Sequence, residues 1–249
     1  MKLLVLGSSS LVSTEKRRPT QLLCLGSRHG LLIDCGVSPR GRLEALGIGR
    51  DAIDDIFITH FHPDHVAGLS LFLMELALRK RRKPIRIHAG KRTLARIRKM
   101  MEMYRWRKLP AHFPISYRPV EYRPRTRVLS NSEFQVRASP VRHVVPAMGV
   151  RVDAVKSGRS FVYSSDTEPS ANLVALARGA GLLIHEATGK GAGHSSAAQA
   201  AAVARDAQAR ELLLIHTDPY ADRKTLLRQA RAVFSGKVKL ASDRMRVAW

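Results

Sequence analysis

Four side chains able to hold a cation fall within six positions: His60, His62, Asp64 and His65, in the stretch Thr59-His60-Phe61-His62-Pro63-Asp64-His65. They follow an apolar run, Ile56-Phe57-Ile58, that reads as the end of a strand. Packing gives no reason to gather three imidazoles and a carboxylate around one point. Removing them from water together is costly unless a cation compensates. Imidazole and carboxylate form the donor set that suits zinc, and manganese or iron accept it too. The cluster predicts a metal site at the carboxyl end of a strand.

Other histidines and acids end or follow apolar runs elsewhere in the chain, and their position alone gives them no role. They are Asp34 in Leu32-Ile33-Asp34-Cys35-Gly36, His143 in Val141-Arg142-His143, Asp166 in Tyr163-Ser164-Ser165-Asp166-Thr167, and His216 in Leu214-Ile215-His216. Glu186 sits in His185-Glu186-Ala187-Thr188, after Leu182-Leu183-Ile184, and His194 precedes Ser195-Ser196 and an alanine-rich helix. Ser195 is placed to cap that helix, since serine is a good N-cap. Singly these signals are weak. His29, His88 and His112 fit no such pattern and read as turn, strand and loop residues.

The elements that position these residues alternate. Strands are expected at Lys2–Leu6, Gln21–Leu25, Leu31–Cys35, Asp55–Thr59, Ile85–His88, Phe134–Ser139, Gly149–Val155, Ser160–Ser164, Leu182–His185, Leu212–His216 and Val238–Leu240. Helices are expected at Arg40–Leu46, Val66–Arg81, Lys91–Tyr104, Ala171–Arg178, Ser195–Ala207 and Asp222–Phe234. Gly26–Gly30 reads as a hairpin turn. Two mixed sheets covered by helices satisfy this order, in an α/β fold. With no Gly/Ser linker and no repeat, residues 1–249 read as a single domain. The stretch Tyr104 to Arg127 is different. Pro110, Pro114, Pro119 and Pro124 alternate there with aromatic and basic residues, and proline limits regular structure. It reads as a basic, aromatic surface excursion able to stack bases and hold phosphates, or as a loop pinned to the core by its aromatics.

Charge narrows the partners. The 43 Lys and Arg against 20 Asp and Glu leave +23, a balance that points to a polyanion such as nucleic acid. Residues 76–127 hold 18 of the basic residues and 2 acids, so +16 is concentrated there. No apolar run is long enough to cross a bilayer. Met1–Leu6 reads as a first strand rather than a signal peptide, and the two cysteines, Cys24 and Cys35, read as reduced thiols of a cytoplasmic protein.

The His60–His65 motif resembles the HxHxDH signature of the metallo-β-lactamase superfamily, and the chain is similar to that family over nearly its full length. The resemblance implies an αββα sandwich with a two-metal site. In it, His60, His62 and His143 hold one ion, Asp64, His65 and His216 the other, and Asp166 bridges. Two Zn2+ ions are the implied cofactor, with Mn2+ or Fe as substitutes. The pair would share a hydroxide made nucleophilic near neutral pH, which Asp64 could orient. Asp34 would orient a ligand. His185–Thr188 and His194-Ser195-Ser196 look like motifs of the ribonuclease Z branch, the tRNA 3′-processing endonucleases. Pro146-Ala147-Met148-Gly149-Val150-Arg151 is also similar to that branch. His194 would then be the general acid for the departing oxygen, held by Glu186. One departure stands out. Only 22 residues separate His143 from Asp166, too few for the tRNA-gripping arm of bacterial ribonuclease Z. The implied function is a metal-dependent phosphodiesterase acting on RNA, with pre-tRNA 3′ trailers as substrate, residues 76–127 as a nucleic-acid surface, and a homodimer as one assembly. Small phosphodiesters such as cyclic nucleotides, or esters and lactones, are alternative substrates. A nucleic-acid-binding protein with a structural metal site is the alternative of another class. Seven donors weigh against it, because a structural zinc site takes four.

Overall fold

The structure is a computed structural model that describes residues 1–109 and 112–249; Pro110 and Ala111 lie outside the described residues. The first half of the chain builds β1 (Lys2–Gly7), β2 (Gln21–Leu25), β3 (Gly30–Ile33), α1 (Arg40–Ala45) and β4 (Asp55–Phe57). It continues with α2 (Pro63–Val66), α3 (Leu69–Leu78), β5 (Ile85–Gly90), α4 (Lys91–Met103) and β6 (Ile115–Val120). The second half builds β7 (Thr126–Ser130), β8 (Phe134–Val141), β9 (Ala147–Ala154), β10 (Ser160–Tyr163), α5 (Ala171–Ala177) and β11 (Leu182–Glu186). Then come α6 (Ala197–Asp206), β12 (Glu211–Ile215), α7 (Arg223–Arg231), β13 (Lys237–Leu240) and β14 (Arg246–Val247).

These strands form two sheets of seven. Their orders are β14-β1-β2-β3-β4-β5-β6 and β13-β12-β11-β10-β9-β8-β7. In the first sheet β1, β2 and β3 pair antiparallel and β3 to β6 parallel. The second repeats the scheme, antiparallel from β7 to β10 and parallel from β10 to β13. Alternate strand residues face opposite ways. Leu3, Val5, Leu31 and Ile33 therefore meet Val150, Val152, Phe161 and Ile184 between the sheets. Leu4, Leu32 and Ile56 turn instead to Phe72, Leu73 and Ile97 on the first pair of helices. Val162, Leu183 and Leu212 pack on Ala200, Ala204 and Ala230 outside the second sheet. Helices thus cover both outer faces, and the expected αββα sandwich is what forms.

The turn Gly26–Gly30 joins β2 to β3 as expected, with Gly26 N–H donating to His29 O. Its amides are collected by a carboxylate from the other sheet. Glu133 Oε1 accepts from Ser27 N and Oγ, both at 2.6 Å, and Oε2 accepts from His29 N at 2.9 Å. Burial raises the Glu133 carboxyl, but those hydrogen bonds outweigh it and hold the group at about 2.

Three expectations need correction. The helix expected over Val66–Arg81 is two pieces, α2 and α3, and between them the Gly68 N–H donates to Cys35 O rather than along the helix. The basic stretch after Tyr104 is not an irregular excursion. Past a 3₁₀ turn at Trp106–Lys108 it supplies β6 and β7, the outermost strand of each sheet. Pro119 is tolerated there because β6 is an edge strand. Its aromatics divide: Trp106 and Phe113 are buried in the core, while Tyr104 and Tyr122 are exposed. Finally, Ser196 rather than Ser195 caps α6, in a capping box with Gln199.

Candidate metal centre

Every candidate donor leaves the carboxyl end of a strand. Asp34 follows β3, His60 and His62 follow β4, and Asp64 and His65 lie on the short α2. His143 follows β8, Asp166 follows β10, Glu186 ends β11 and His216 follows β12. These ends share one edge of the sandwich, the usual place for a site in α/β sheets. The backbone is forced there: Asp34, Ser165 and His216 all take left-handed φ, of 62°, 58° and 52°. Non-glycine residues rarely do so, and such outliers gather at functional sites.

The structure brings the seven expected ligands together in two groups, with Asp166 in both. His60, His62, His143 and Asp166 form one; Asp64, His65, Asp166 and His216 form the other; within each, the ligand atoms lie within 4.8 Å of one another. His62 Nδ1 is 3.0 Å from His60 Nε2 and 3.2 Å from His143 Nε2. Nitrogens bound tetrahedrally to zinc at about 2.0–2.1 Å would sit about 3.3 Å apart. In the second group His216 Nε2 lies 3.1 Å from Asp64 Oδ2 and 3.5 Å from Asp166 Oδ1, and His65 Nε2 lies 3.4 Å from Asp166 Oδ2.

Outer partners fix which nitrogen faces inward. Thr59 Oγ1 donates to Asp34 Oδ2 at 3.0 Å, so it accepts from His60 Nδ1–H at 3.0 Å. Thr188 Oγ1 donates to the His216 carbonyl, so it accepts from His216 Nδ1–H at 2.9 Å. His65 Nδ1–H donates to Asp34 Oδ2 at 2.8 Å, and His143 Nδ1–H to Gly193 O at 2.7 Å. All four rings thus turn Nε2 to the centre, the nitrogen that would ligate a cation once it carries no proton. His65 Nε2 and Asp166 Oδ1 are buried without a hydrogen-bond partner, a costly arrangement that a cation would relieve. The donor set fits a metal.

Electrostatics follow from burial and charge. Desolvation pushes His60, His62 and His143 down, so they stay neutral and able to ligate. Burial also lowers His65, but Asp166 and Asp34 lift it well above its ordinary value. Burial would raise Asp166; His216 and His65 hold it well below the carboxylate range instead.

A sequence profile of the beta-lactamase superfamily domain matches residues 29–217. The chain belongs to the beta-lactamase superfamily. Among superfamily relatives, ribonuclease Z of Haloarcula marismortui is 28% identical, over 98% of this chain and 96% of the relative. That alignment runs over 303 residues, more than the 249 of this chain, so the relative carries segments absent here. Human tRNase Z, short form, superposes with a TM-score of 0.82 at 25% identity, covering 100% of this chain and 99% of the human one. YhfI of Bacillus subtilis, a metallo-beta-lactamase fold protein, gives 0.82 at 22% identity, over 99% and 98%. The resemblance to the ribonuclease Z branch read from the motifs is borne out by these relatives.

Beside the two groups stands a pair made of residues expected to act together. His194 Nδ1 donates to Glu186 Oε1 at 3.0 Å, and its ring is one-quarter exposed while Glu186 is fully buried. The hydrogen bond to Glu186 raises the His194 pKa. The same Oε1 accepts from the amides of Ser195 and Thr167, and Oε2 accepts from Thr188 N. Glu186 therefore ties two loops, the one after β10 and the one after its own strand, to one carboxylate. Sequence reading gave no role to Thr59, Thr188 or Gly193, though each borders a motif residue. Gly193 is the tightest: at φ +80°, its Cβ would lie 2.5 Å from His143 Nδ1. His185 donates its Nδ1–H to Glu186 O at 2.7 Å, a structural hydrogen bond. His29 and His112 lie in a turn and a loop. His88, on β5, bonds Asp55 at 2.7 Å away from the cluster.

Proposed function

We propose that residues 1–249 act as one hydrolase domain of ribonuclease Z type, cleaving RNA phosphodiester bonds, with pre-tRNA 3′ trailers as the substrate. The observation that carries this is the Glu186–His194 pair at the margin of the donor cluster. A ligand set alone serves many hydrolyses; a raised histidine with its own carboxylate suits a reaction whose leaving oxygen needs a proton. The relatives named ribonuclease Z and tRNase Z support the same reading.

In this reading His60, His62 and His143 would hold one Zn2+ and Asp64, His65 and His216 a second, with Asp166 placed to contribute to both. When bound, such a pair supplies electrophilic charge at the scissile phosphate and makes a water acidic enough to attack near neutral pH. The chain's own residues do the rest. Asp64, 3.1 Å from His216 Nε2, orients the attacking water. His194 gives its proton to the departing oxygen, and Glu186 fixes its tautomer and keeps it protonated. Asp34, which accepts from both Thr59 and His65, keeps the His65 ring aimed inward. Cys24 and Cys35 are free and buried, Cys24 pushed up to about 12 by burial, which suits the cytoplasm. No helix among the described residues is long and apolar enough to cross a membrane.

The RNA grip is assigned to α4 and the turn after it. Arg98, Arg105, Arg107 and Lys108 surround a cavity of about 520 Å³ with Trp106 and Tyr117. Not all of the +16 belongs to that surface. Arg86 is paired with Asp55 and Lys83 with Asp54, both at 2.7 Å, and Arg81 is fully buried.

The test is an assay of the purified protein on pre-tRNA, bis(p-nitrophenyl) phosphate, a cyclic nucleotide and a lactone, with and without zinc or manganese. Metal-dependent cleavage of pre-tRNA is expected, and activity confined to the small diesters or the lactone would reject the reading. His194→Ala should lower turnover about 10²–10⁴-fold with metal content unchanged. His62→Ala should instead cost metal binding.

A further inference from the structure

A second cavity, of about 530 Å³, opens beside the donor cluster. Its volume lies in the range of pockets that take small organic ligands. Two of its walls are the cluster's own neighbours. Thr59, whose hydroxyl accepts from His60, lines it, and so does Pro146, three residues past His143. Met148 N–H donates to Thr59 O at 3.2 Å, so the two sheets meet at its floor. Val120 and Met148 are buried there and make that floor apolar, while the ring of Tyr122 stands half exposed on the rim. Thr93 and Glu121 add a hydroxyl and a carboxylate. Lys91 and Arg92, the first residues of α4, line the cavity too, and among the described residues neither has a carboxylate within 4.0 Å.

An apolar floor, one exposed aromatic ring, a few hydrogen-bonding groups and an unneutralised cationic edge are what a nucleobase on a phosphate chain requires. A lactone or simple ester would use none of the cations. We propose that this cavity is a nucleobase subsite, which takes the nucleotide next to the phosphate held at the donor cluster and stacks its base on Tyr122. The proposal rests on the phosphodiesterase reading for the place of that phosphate, but it does not need the substrate to be tRNA. The subsite lies outside the seven ligands and the Glu186–His194 pair. It gives a chain with only 22 residues between His143 and Asp166 a hold on RNA close to the scissile bond.

Binding tests it without turnover. The zinc-loaded protein is titrated calorimetrically with adenosine 3′- and 5′-monophosphate and with the matching ribose phosphates. At least one adenylate should bind about 5- to 150-fold more tightly than its base-free partner, the range for one stacked base. Tyr122→Ala should remove that preference and leave ribose phosphate binding unchanged, and Tyr122→Phe should keep it. Adenylates that bind no better than the ribose phosphates overturn the subsite. So does a preference that survives Tyr122→Ala, even if the protein cleaves RNA. A protein that cleaves no RNA, yet loses an adenylate preference in Tyr122→Ala, rejects the ribonuclease reading and keeps the subsite.

Discussion

Gly193→Ala probes how the cluster is held rather than which atoms bind. The alanine Cβ would fall 2.5 Å from His143 Nδ1 and 3.0 Å from Val144 N, so the ring or the loop must move. Either movement breaks the 2.7 Å bond from His143 Nδ1–H to Gly193 O, a loss of about 1 kcal/mol. Keeping φ near +80° with a side chain adds about 1–2 kcal/mol. The sum is a destabilisation of about 2–3 kcal/mol, read by denaturant unfolding of the chelated protein. The second effect is on the metal: a ligand that loses its orienting partner usually costs about 10–100-fold in affinity. Competition with a zinc chelator measures it. Gly158→Ala is the control. It carries a similar φ, +64°, but its Cβ would meet nothing within 4 Å, so only the backbone cost should appear. Equal zinc affinity in the two variants would refute the claim that Gly193 positions His143.

Glu186→Gln should shift the pH profile. The Glu186 hydrogen bond raises His194, and a proton donor works until pH rises through its own pKa; losing the carboxylate should move the alkaline limb of turnover to lower pH. An alkaline limb that stays in place would exclude His194 as the donor. Arg105→Glu with Arg107→Glu should weaken RNA binding and flatten its salt dependence in filter-binding assays. Arg81→Met should act differently, lowering stability by about 1–3 kcal/mol, because its buried guanidinium donates to the buried carbonyl of Ile53 and to those of Arg50, Lys83 and Pro84. Glu133→Gln should flatten the acid side of the stability curve. The carboxyl is held at about 2, below its unfolded value, so its contribution is full above pH ~4.3 and lost as pH falls toward about 2. Urea melts at pH 6 and pH 2.5 would expose the difference between variant and parent.

The donor cluster was legible because its residues ride on strand ends, where apolar runs announce the backbone and an abrupt histidine or aspartate stands out. His60 to His65 stand out by their spacing alone, whereas His143, Asp166 and His216 are singled out only by resemblance to the family's motif order. Which face of β1 to β3 turns to the other sheet was not readable, because these strands are apolar without alternation and buried on both sides. Elements held by their neighbours were not readable. Strands β6 and β7 contain or adjoin prolines that a local reading treats as breakers, and it is their edge position that makes the prolines harmless. Arg81 looked like one more surface cation in a basic run, yet the α3 turn carries it inward to bare carbonyls. Glu133 gave no hint, because its partners lie more than a hundred positions away at Ser27 and Arg28.

The split origin of the donors makes the seam between the sheets a precision joint. His60, His62, Asp64 and His65 ride on one sheet, and His143, Asp166 and His216 on the other. Productive sites tolerate misplacement of only about 0.5 Å. Packed interiors transmit strain rather than absorb it. Trimming Val150 or Ile33, which lie in that layer and are not among the seven donors, would let one sheet settle against the other and detune all seven positions at once. For this protein the apolar layer between the sheets sets the calibration of its chemistry.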